Sequence, residues 1–247
     1  MRYAWCTLAR TLIITFLCQS MAALAGPAAE PIYLYASQTG RPTLDQGEGG
    51  GNPFASALVE LLARDSLTFE AFRTELIALT GRKSGGFQRP EVSNGMKLGA
   101  WRLLPKPPAE RRVALVVVFS DYSAAGAVPS LPGAKHDMHR VAVALARAGF
   151  EVQTVADPDR ARLEIALSEL AERSTTSEVA VLYTTGHGAE VEGVVYLLPG
   201  DSALSQVSSI RWKERSVRLT TLAAALRASR ANLVFYGGCR DSPFGTP

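Results

Sequence analysis

The chain has 247 residues, of which 47% are hydrophobic and 20% are charged, so it is long enough to bury one substantial core or two small ones. Its net charge of +3 is too small to indicate a nucleic-acid partner, and no basic patch with interleaved aromatic residues occurs. Composition therefore favours a globular protein without a nucleic-acid partner.

The first 25 residues have the pattern of a signal peptide. Arg2 and Arg10 give a positive start, residues 11–18 are apolar, and residues 23–25 form a small-x-small cleavage site. An uncleaved membrane anchor is the alternative, but the apolar segment is shorter than the roughly 20 residues that a spanning helix needs. We therefore predict a signal peptide at 1–25, a periplasmic or secreted protein, and no stable membrane insertion after cleavage.

Cleavage would leave one cysteine. Cys6 and Cys18 lie in the predicted signal peptide, and Cys239 lies near the end of the chain. A lipoprotein signal is disfavoured because Cys18 follows Phe16 and Leu17 rather than small residues. One cysteine cannot form an internal disulfide, and a lone thiol in an oxidising compartment is either buried or kept for its chemistry.

The N-terminal half reads as one strand and two helices around a glycine-rich loop. An apolar strand follows Pro31, and residues 38–52 form a polar, glycine-rich loop, which is either a cover for a binding site or a solvated connector. A helix is predicted to open at Pro53, and a second to follow Thr68 and end at Gly81. We expect a further strand at 97–104 and a stiff proline-rich linker after it.

Strands and helices alternate in the C-terminal half. The predicted elements are strands at 113–119, 151–155, 179–183 and 233–236, helices at 134–149, 158–172 and 219–228, and a hairpin at 191–198. Alternation of this kind indicates a doubly wound α/β domain with right-handed crossovers.

Two of these strands end on glycines beside a reactive side chain. Cys239 follows Gly237 and Gly238, and His187 lies between Gly186 and Gly188. The carboxyl ends of parallel strands are where catalytic groups collect, and glycine lets the backbone turn sharply there. A small buried thiol and a structural histidine are the alternatives for each residue alone. Together they provide the thiolate nucleophile and the imidazole base that a cysteine protease requires.

Four segments carry a resemblance to a known family. ALVVVFSDY, LPGAKHDMHRVAVALARAGFEV, LYTTGHGAEVEGVVYLLPGD and NLVFYGGCRDSPF resemble, in this order, the large-subunit half of bacterial metacaspase-like (orthocaspase) members of the caspase clan, over residues 112–244. The resemblance implies a caspase-like three-layer α/β sandwich, with a mostly parallel sheet of about six strands and helices on both faces. It also implies that His187 and Cys239 are the catalytic dyad, with the backbone N–H groups of Gly188 and Cys239 binding the oxyanion.

The small-subunit half of that family is similar to residues 32–94 of this chain, so it precedes the large-subunit half. The chain thus resembles a circular permutation, as in the metacaspases called type III. The resulting division is a signal peptide at 1–25, a small-subunit-like half at 26–104, a linker at 105–112 and a large-subunit-like half at 113–247, with 26–247 expected to form one folded domain. The family's sheet also ends in an antiparallel strand, which we expect here as well.

The substrate pocket departs from the family pattern at one position. Members usually carry aspartate two residues before the cysteine, where this chain has Gly237, whereas Asp137 matches the family's other acidic pocket residue. The resemblance implies that Asp137 binds a basic substrate side chain, because one buried carboxylate can still pair with an arginine. We therefore expect a weakened preference for cleavage after Arg or Lys.

Metal sites are not favoured by the sequence. His136 and His139 lie three residues apart on a predicted helix, but no further ligand follows at suitable spacing. Asp45, Glu48 and Asp201 lack the spacing of a calcium loop, although some metacaspases use calcium. We expect that no cofactor is required, with calcium left as an optional one.

The sequence thus predicts an exported cysteine-type endopeptidase that acts on peptide or protein substrates. A caspase-fold pseudoenzyme that binds peptides or proteins is the alternative, because Gly237 replaces a pocket carboxylate. A purely structural α/β domain fits the glycine-flanked dyad poorly. The oligomeric state does not follow from the sequence.

Overall fold

The computed structural model describes residues 27–47, 49–93, 98, 101–124, 128–200 and 212–241. The strands are β1 (Pro31–Tyr35), β2 (Leu67–Thr68), β3 (Glu91–Val92), β4 (Arg102–Leu104), β5 (Arg112–Val118), β6 (Glu151–Ala156), β7 (Val179–Thr185), β8 (Gly188–Val191), β9 (Val194–Leu197), β10 (Val217–Arg218) and β11 (Ala231–Tyr236). The helices are α1 (Pro53–Leu62), α2 (Phe69–Lys83), α3 (Pro132–Arg147), α4 (Arg160–Thr175), α5 (Trp212–Arg215) and α6 (Leu219–Ala223). The predicted signal peptide at 1–25 lies outside the described residues.

Six strands form the main sheet, in the order β3-β1-β11-β7-β5-β6. All neighbours are parallel except the edge pair β3 and β1, which is antiparallel. Every residue of β5, β7 and β11 is buried, as their continuous apolar runs predicted, and these strands occupy the interior of the sheet. The predicted caspase-like α/β fold with a mostly parallel sheet of about six strands is confirmed.

Helices cover the sheet on both faces because successive strand residues point to opposite sides. Ala114 and Val116 of β5 face a core that includes side chains from α1, α2 and α3. Val113 and Leu115 face a second core with side chains from α4, α6 and the β8–β9 hairpin. The result is three layers, with the carboxyl ends of β7 and β11 meeting at one edge.

The first two helices begin where the sequence predicted, at Pro53 and directly after Thr68. The Asn52 side chain accepts a hydrogen bond from the N–H of Phe54, and Pro53 is the first residue of α1. Thr68 caps α2 in the same way. The predicted end of that helix at Gly81 is wrong, because α2 continues to Lys83 and the chain reverses at Gly85 and Gly86, both with positive φ.

Three other predicted boundaries are also corrected. The helix at 219–228 ends at Ala223, because the backbone beyond it bonds to Ser174, whose hydroxyl donates to Ala225 O (3.0 Å) and accepts from the Arg227 N–H (3.0 Å). The hairpin begins at Gly188 rather than 191. Within the strand predicted at 97–104, the described residues form β4 (Arg102–Leu104), which pairs with β2 away from the main sheet.

The N-terminal half supplies two strands of the main sheet. β1 pairs along its whole length with β11, the strand that leads to Cys239, and β3 adds the antiparallel edge that the resemblance implied. No helix among the described residues is long and apolar enough to cross a membrane. The loop after β1 is thereby brought to the same sheet edge as Cys239.

Candidate active site

Cys239 lies three residues after the end of β11, on a loop that passes very close to its neighbours. A Cβ atom on Gly238 would lie 2.7 Å from the carbonyl oxygen of Gly186 and 2.6 Å from the Tyr236 hydroxyl, so this position has room only for glycine. The Tyr236 hydroxyl donates to the carbonyl oxygen of Cys239 (2.9 Å). The loop is therefore held against the loop that carries His187.

His187 follows β7, the neighbour of β11. Its backbone N–H donates to the Tyr122 hydroxyl (2.9 Å), and its Nε2 lies 2.8 Å from the carbonyl oxygen of Pro129. A carbonyl oxygen can only accept, so Nε2 carries the proton in the neutral ring and Nδ1 keeps a free lone pair. The imidazole is thus oriented by a third group, as a catalytic base requires.

Parallel pairing brings the two loops together, since Tyr236 of β11 is opposite Thr184 of β7. A Cβ atom on Gly188 would lie only 3.3 Å from the carbonyl oxygen of Cys239. The side chains of His187 and Cys239 lie at the same edge of the sheet. Among the described residues, His187 bonds to Pro129 and Cys239 bonds to Thr43 rather than to each other. The backbone N–H of Cys239 makes no hydrogen bond among the described residues, so it can donate to a bound acceptor.

The Cys239 thiol is half-buried beneath the glycine-rich loop. The N–H of Thr43 donates to its Sγ (3.3 Å), and the Thr43 hydroxyl lies 3.5 Å from Sγ and donates to Gly237 O (3.2 Å). Burial raises the pKa of the thiol, and the two contacts with Thr43 offset part of this effect. The loop at 38–52 therefore covers the thiol, which was one of its two predicted interpretations.

Asp137 is enclosed by its own chain. Its side chain has 0% exposure, Oδ2 accepts from the N–H of Asn52 (2.8 Å), and Oδ1 pairs with Arg140 Nη2 (2.6 Å). Burial raises the pKa of Asp137 to about 6, although Asn52 and Arg140 lower it. A Cβ atom on Gly51 would collide with the carboxylate, so the loop closes directly over it. In this state both carboxylate oxygens of the predicted substrate-binding residue are occupied.

The structure explains why glycine, and not the aspartate usual in the resembling family, occupies position 237. A Cβ atom on Gly237 would lie 2.9 Å from Thr185 Oγ1 and 3.0 Å from Thr185 Cβ. An aspartate therefore does not fit beside Thr185 without movement. Asn52 bridges this position to Asp137, because its Nδ2 donates to Gly237 O (3.1 Å) while its N–H binds the carboxylate.

Arg240 is a site residue to which the sequence assigned no role. Its guanidinium donates to Glu190 (2.7 Å) and Glu91 (2.5 Å) and lies 4.0 Å from the centre of the Tyr35 ring. These contacts fix the residue next to Cys239 to β1, β3 and β8. Its position directly after Cys239 could have marked it as a site residue. Its partners could not be predicted, because they lie far from it in the sequence. The same holds for Thr43, Tyr122 and Pro129, which lie far from the dyad residues that they contact.

The candidate metal ligands do not form a site within the described residues. No group of three or more His, Cys, Asp or Glu side chains there has the geometry to hold a metal ion. Asp45 instead caps α3, accepting from the N–H groups of Gly133 and Ala134 (both 2.9 Å). Glu48 and Asp201 lie outside the described residues.

A comparison with models of protein families gives a match over the C-terminal half of the chain. The caspase-domain family model matches residues 111–246, which is more than half of the chain and includes both His187 and Cys239. No curated protein matches the sequence. The chain therefore belongs to the caspase-domain family of peptidases.

Proposed function

We propose that this protein is a cysteine-type endopeptidase of the metacaspase-like (orthocaspase) group that uses a Cys239/His187 dyad. The observation that carries the proposal is the hydrogen bond between His187 Nε2 and Pro129 O (2.8 Å), at the sheet edge that also holds Cys239. Since this bond uses Nε2, the base is Nδ1 of His187.

The reaction begins when Nδ1 of His187 accepts the thiol proton of Cys239. The thiolate attacks the substrate carbonyl carbon, and the N–H groups of Gly188 and Cys239 donate to the developing oxyanion. His187 then protonates the leaving amine as the C–N bond breaks. Water, deprotonated by His187, hydrolyses the thioester and releases the acid, and the proton returns to the thiolate.

Substrate entry requires the loop at 38–52 to shift. Thr43 now donates to the thiol through its backbone N–H, and burial raises the pKa of Cys239. In the Michaelis complex the substrate carbonyl replaces Thr43 beside Sγ, and His187 moves within reach of the thiol. Catalytic hydrogen bonds are often loose before substrate binds, so their absence here is consistent with the proposal.

A basic side chain before the cleaved bond would bind Asp137 by displacing Arg140. The present pair is an ion pair of 2.6 Å in which Arg140 retains 20% exposure, so the arginine can swing towards solvent. Because Gly237 supplies no second carboxylate, Arg140 competes directly with a substrate cation for the carboxylate of Asp137. The selectivity for Arg or Lys is therefore weaker than that of a pocket with two unpaired carboxylates.

Arg140→Gln tests this specificity. We expect kcat/KM for peptides ending in Arg or Lys to rise about tenfold, because the carboxylate loses its internal competitor.

Asp137→Asn should remove the preference for basic peptides, with Arg173→Gln as a control at an exposed carboxylate pair. Equal hydrolysis of basic and neutral peptides by the wild-type and Asp137→Asn proteins would contradict the assignment.

The remaining parts of the proposal concern the whole chain. Residues 1–25 act as a signal peptide, and the mature protein is periplasmic or secreted. The order of segments is a circular permutation, supported by β1 and β3 forming the sheet edge beside β11. The proposed division is 26–104, the linker 105–112 and 113–247, within one folded domain. The reaction itself uses no cofactor, and added calcium tests whether the ion is an activator.

A second candidate is a caspase-fold pseudoenzyme that binds peptides or proteins without cleaving them. The observations in its favour are the contact of Thr43 with the thiol and the neutralised Asp137. Hydrolysis of fluorogenic peptides ending in Arg, Lys or Asp, with and without calcium, separates the two. Cleavage that is lost in Cys239→Ala supports the endopeptidase. Peptide binding without cleavage by either protein supports the pseudoenzyme.

A further inference from the structure

Tyr122 contacts His187 and also Ser130, the residue that follows the Pro129 carbonyl to which the His187 imidazole bonds. It follows β5 and is 1% exposed, yet it belongs to neither the dyad nor the oxyanion groups. We propose that Tyr122 is a positioning residue for the proposed reaction, which holds the His187 imidazole in the tautomer and orientation that leave Nδ1 free. The inference rests on the proposed function only in taking His187 as the base.

The side chain of Tyr122 binds the histidine loop. Its hydroxyl accepts the backbone N–H of His187 (2.9 Å) and donates to the carbonyl oxygen of Leu198 (2.8 Å). Because the hydroxyl has one proton, donation to Leu198 directs a lone pair of the oxygen towards His187. Burial raises the pKa of Tyr122, so the hydroxyl remains a donor at physiological pH.

The ring of Tyr122 also limits rotation of the imidazole. The two rings meet edge to face, with centroids 4.5 Å apart and planes inclined at 71°. Gly186 is required by this contact, since a Cβ atom there would lie 2.9 Å from the Tyr122 hydroxyl. The backbone and the ring of His187 are thus both in contact with one side chain.

The backbone of Tyr122 binds the segment that carries Pro129. Its N–H donates to the Ser130 hydroxyl (3.0 Å), one residue after the carbonyl of Pro129 that receives His187 Nε2. The neighbouring Leu131 N–H donates to Ser120 O (2.8 Å), which strengthens the same connection. Tyr122 is therefore bonded both to the backbone of His187 and to the segment that carries the Pro129 carbonyl.

Loss of the hydroxyl alone should free the His187 loop while the ring remains. We expect Tyr122→Phe to lower kcat at least tenfold and to change KM by less than about twofold, because the base is misplaced but the peptide-binding surface is intact. Tyr196→Phe is the matched control. Tyr196 is a buried tyrosine of β9 whose hydroxyl bonds to no other described residue.

A spectroscopic test needs no turnover. In ¹⁵N-labelled protein we expect a protected Nε2–H proton resonance from His187, assigned by its absence in His187→Gln. Tyr122→Phe should lose this resonance to exchange with water, whereas Tyr196→Phe should keep it. Ser130→Ala, which removes the acceptor of the Tyr122 N–H together with a bond to Asp121, takes the place of Tyr122→Phe if that variant fails to fold.

The outcomes distinguish this inference from the proposed function. A wild-type protein that cleaves no peptide counts against the endopeptidase, while the resonance still decides the role of Tyr122. Loss of the resonance in Tyr122→Phe or its substitute, but not in the control, supports the positioning role. A resonance that survives in Tyr122→Phe, or disappears equally in Tyr196→Phe, overturns it whatever happens to kcat.

Discussion

At the scale of single residues, the sequence predicts Cys239 and His187 as a candidate dyad because each follows a strand and lies beside glycines. Their partners could not be predicted, since the groups that bind them are a backbone N–H of Thr43 and a backbone carbonyl of Pro129. The residue type does not show which backbone groups will form tertiary hydrogen bonds. Arg140 is different, because it follows Asp137 by three residues on one helix, a spacing that indicates an ion pair.

The burial of Asp137 predicts a pH dependence of stability. Its pKa is raised to about 6 in the fold, above the ordinary value of 3.8, so the folded state holds its proton more tightly than the unfolded chain. The stabilisation from this group is therefore complete below pH 4 and is lost as pH rises through 6. With about 1.4 kcal/mol per pKa unit, the loss is at most about 3 kcal/mol.

Urea unfolding of the wild-type and Asp137→Asn proteins between pH 4 and 7 measures this loss. As pH rises, the unfolding free energy of the wild type should fall relative to that of Asp137→Asn. A difference that is constant over this range would show that Asp137 titrates at its ordinary pKa.

At the scale of elements, the buried strands were predictable and several boundaries were not. β5, β7 and β11 each contain a continuous apolar run, so their position inside the sheet followed from hydrophobicity. α2 passes through Gly81, because a glycine inside a helix costs only about 1 kcal/mol and neighbouring turns outweigh it. α6 ends early because tertiary bonds to Ser174 replace helical ones.

The proposed linker at 105–112 contains a buried ion pair that the sequence did not reveal. Arg112 is 3% exposed, its Nη2 pairs with Glu110 (2.6 Å), and its Nη1 donates to the carbonyl oxygens of Leu103 (2.7 Å) and Ala148 (3.2 Å). These bonds fasten the end of the N-terminal half to β5 and to the end of α3. The linker is thus an anchored element of the core.

Glu110→Ala should destabilise the protein by about 3–5 kcal/mol, because it leaves the buried guanidinium of Arg112 without its counter-ion. Glu164→Ala is the control, since its pair with Arg160 is largely exposed and should change stability by less than about 1 kcal/mol. The midpoints of chemical unfolding measure both. Similar small losses for the two variants would contradict the role given to the linker.

At the scale of the whole molecule, the two halves share a sheet and a core. Phe235 of β11 packs against Phe54 of α1 and Phe72 of α2, with ring centroids 6.4 Å and 5.9 Å apart. The sequence suggested this union only through a family resemblance, because no local pattern specifies that β1 pairs with a strand some 200 residues away.

Phe235→Ala therefore tests whether the halves unfold together. We expect a loss of about 3–5 kcal/mol and faster amide exchange in both β1 and β6, at opposite sides of the sheet. Phe87→Ala is the control, because that ring is 53% exposed and should change little. Faster exchange confined to β1, with β6 unaffected, would mean that the halves are separate folding units.

The central claim is that Cys239 is a nucleophile activated by His187, and covalent trapping tests it most directly. The mature chain is incubated with a peptidyl acyloxymethyl ketone ending in arginine, and the adduct is located by mass spectrometry. We predict one adduct on Cys239, none on Cys239→Ala, and a rate at least a hundredfold lower for His187→Ala. An unlabelled Cys239, or labelling at the same rate without His187, would contradict the account.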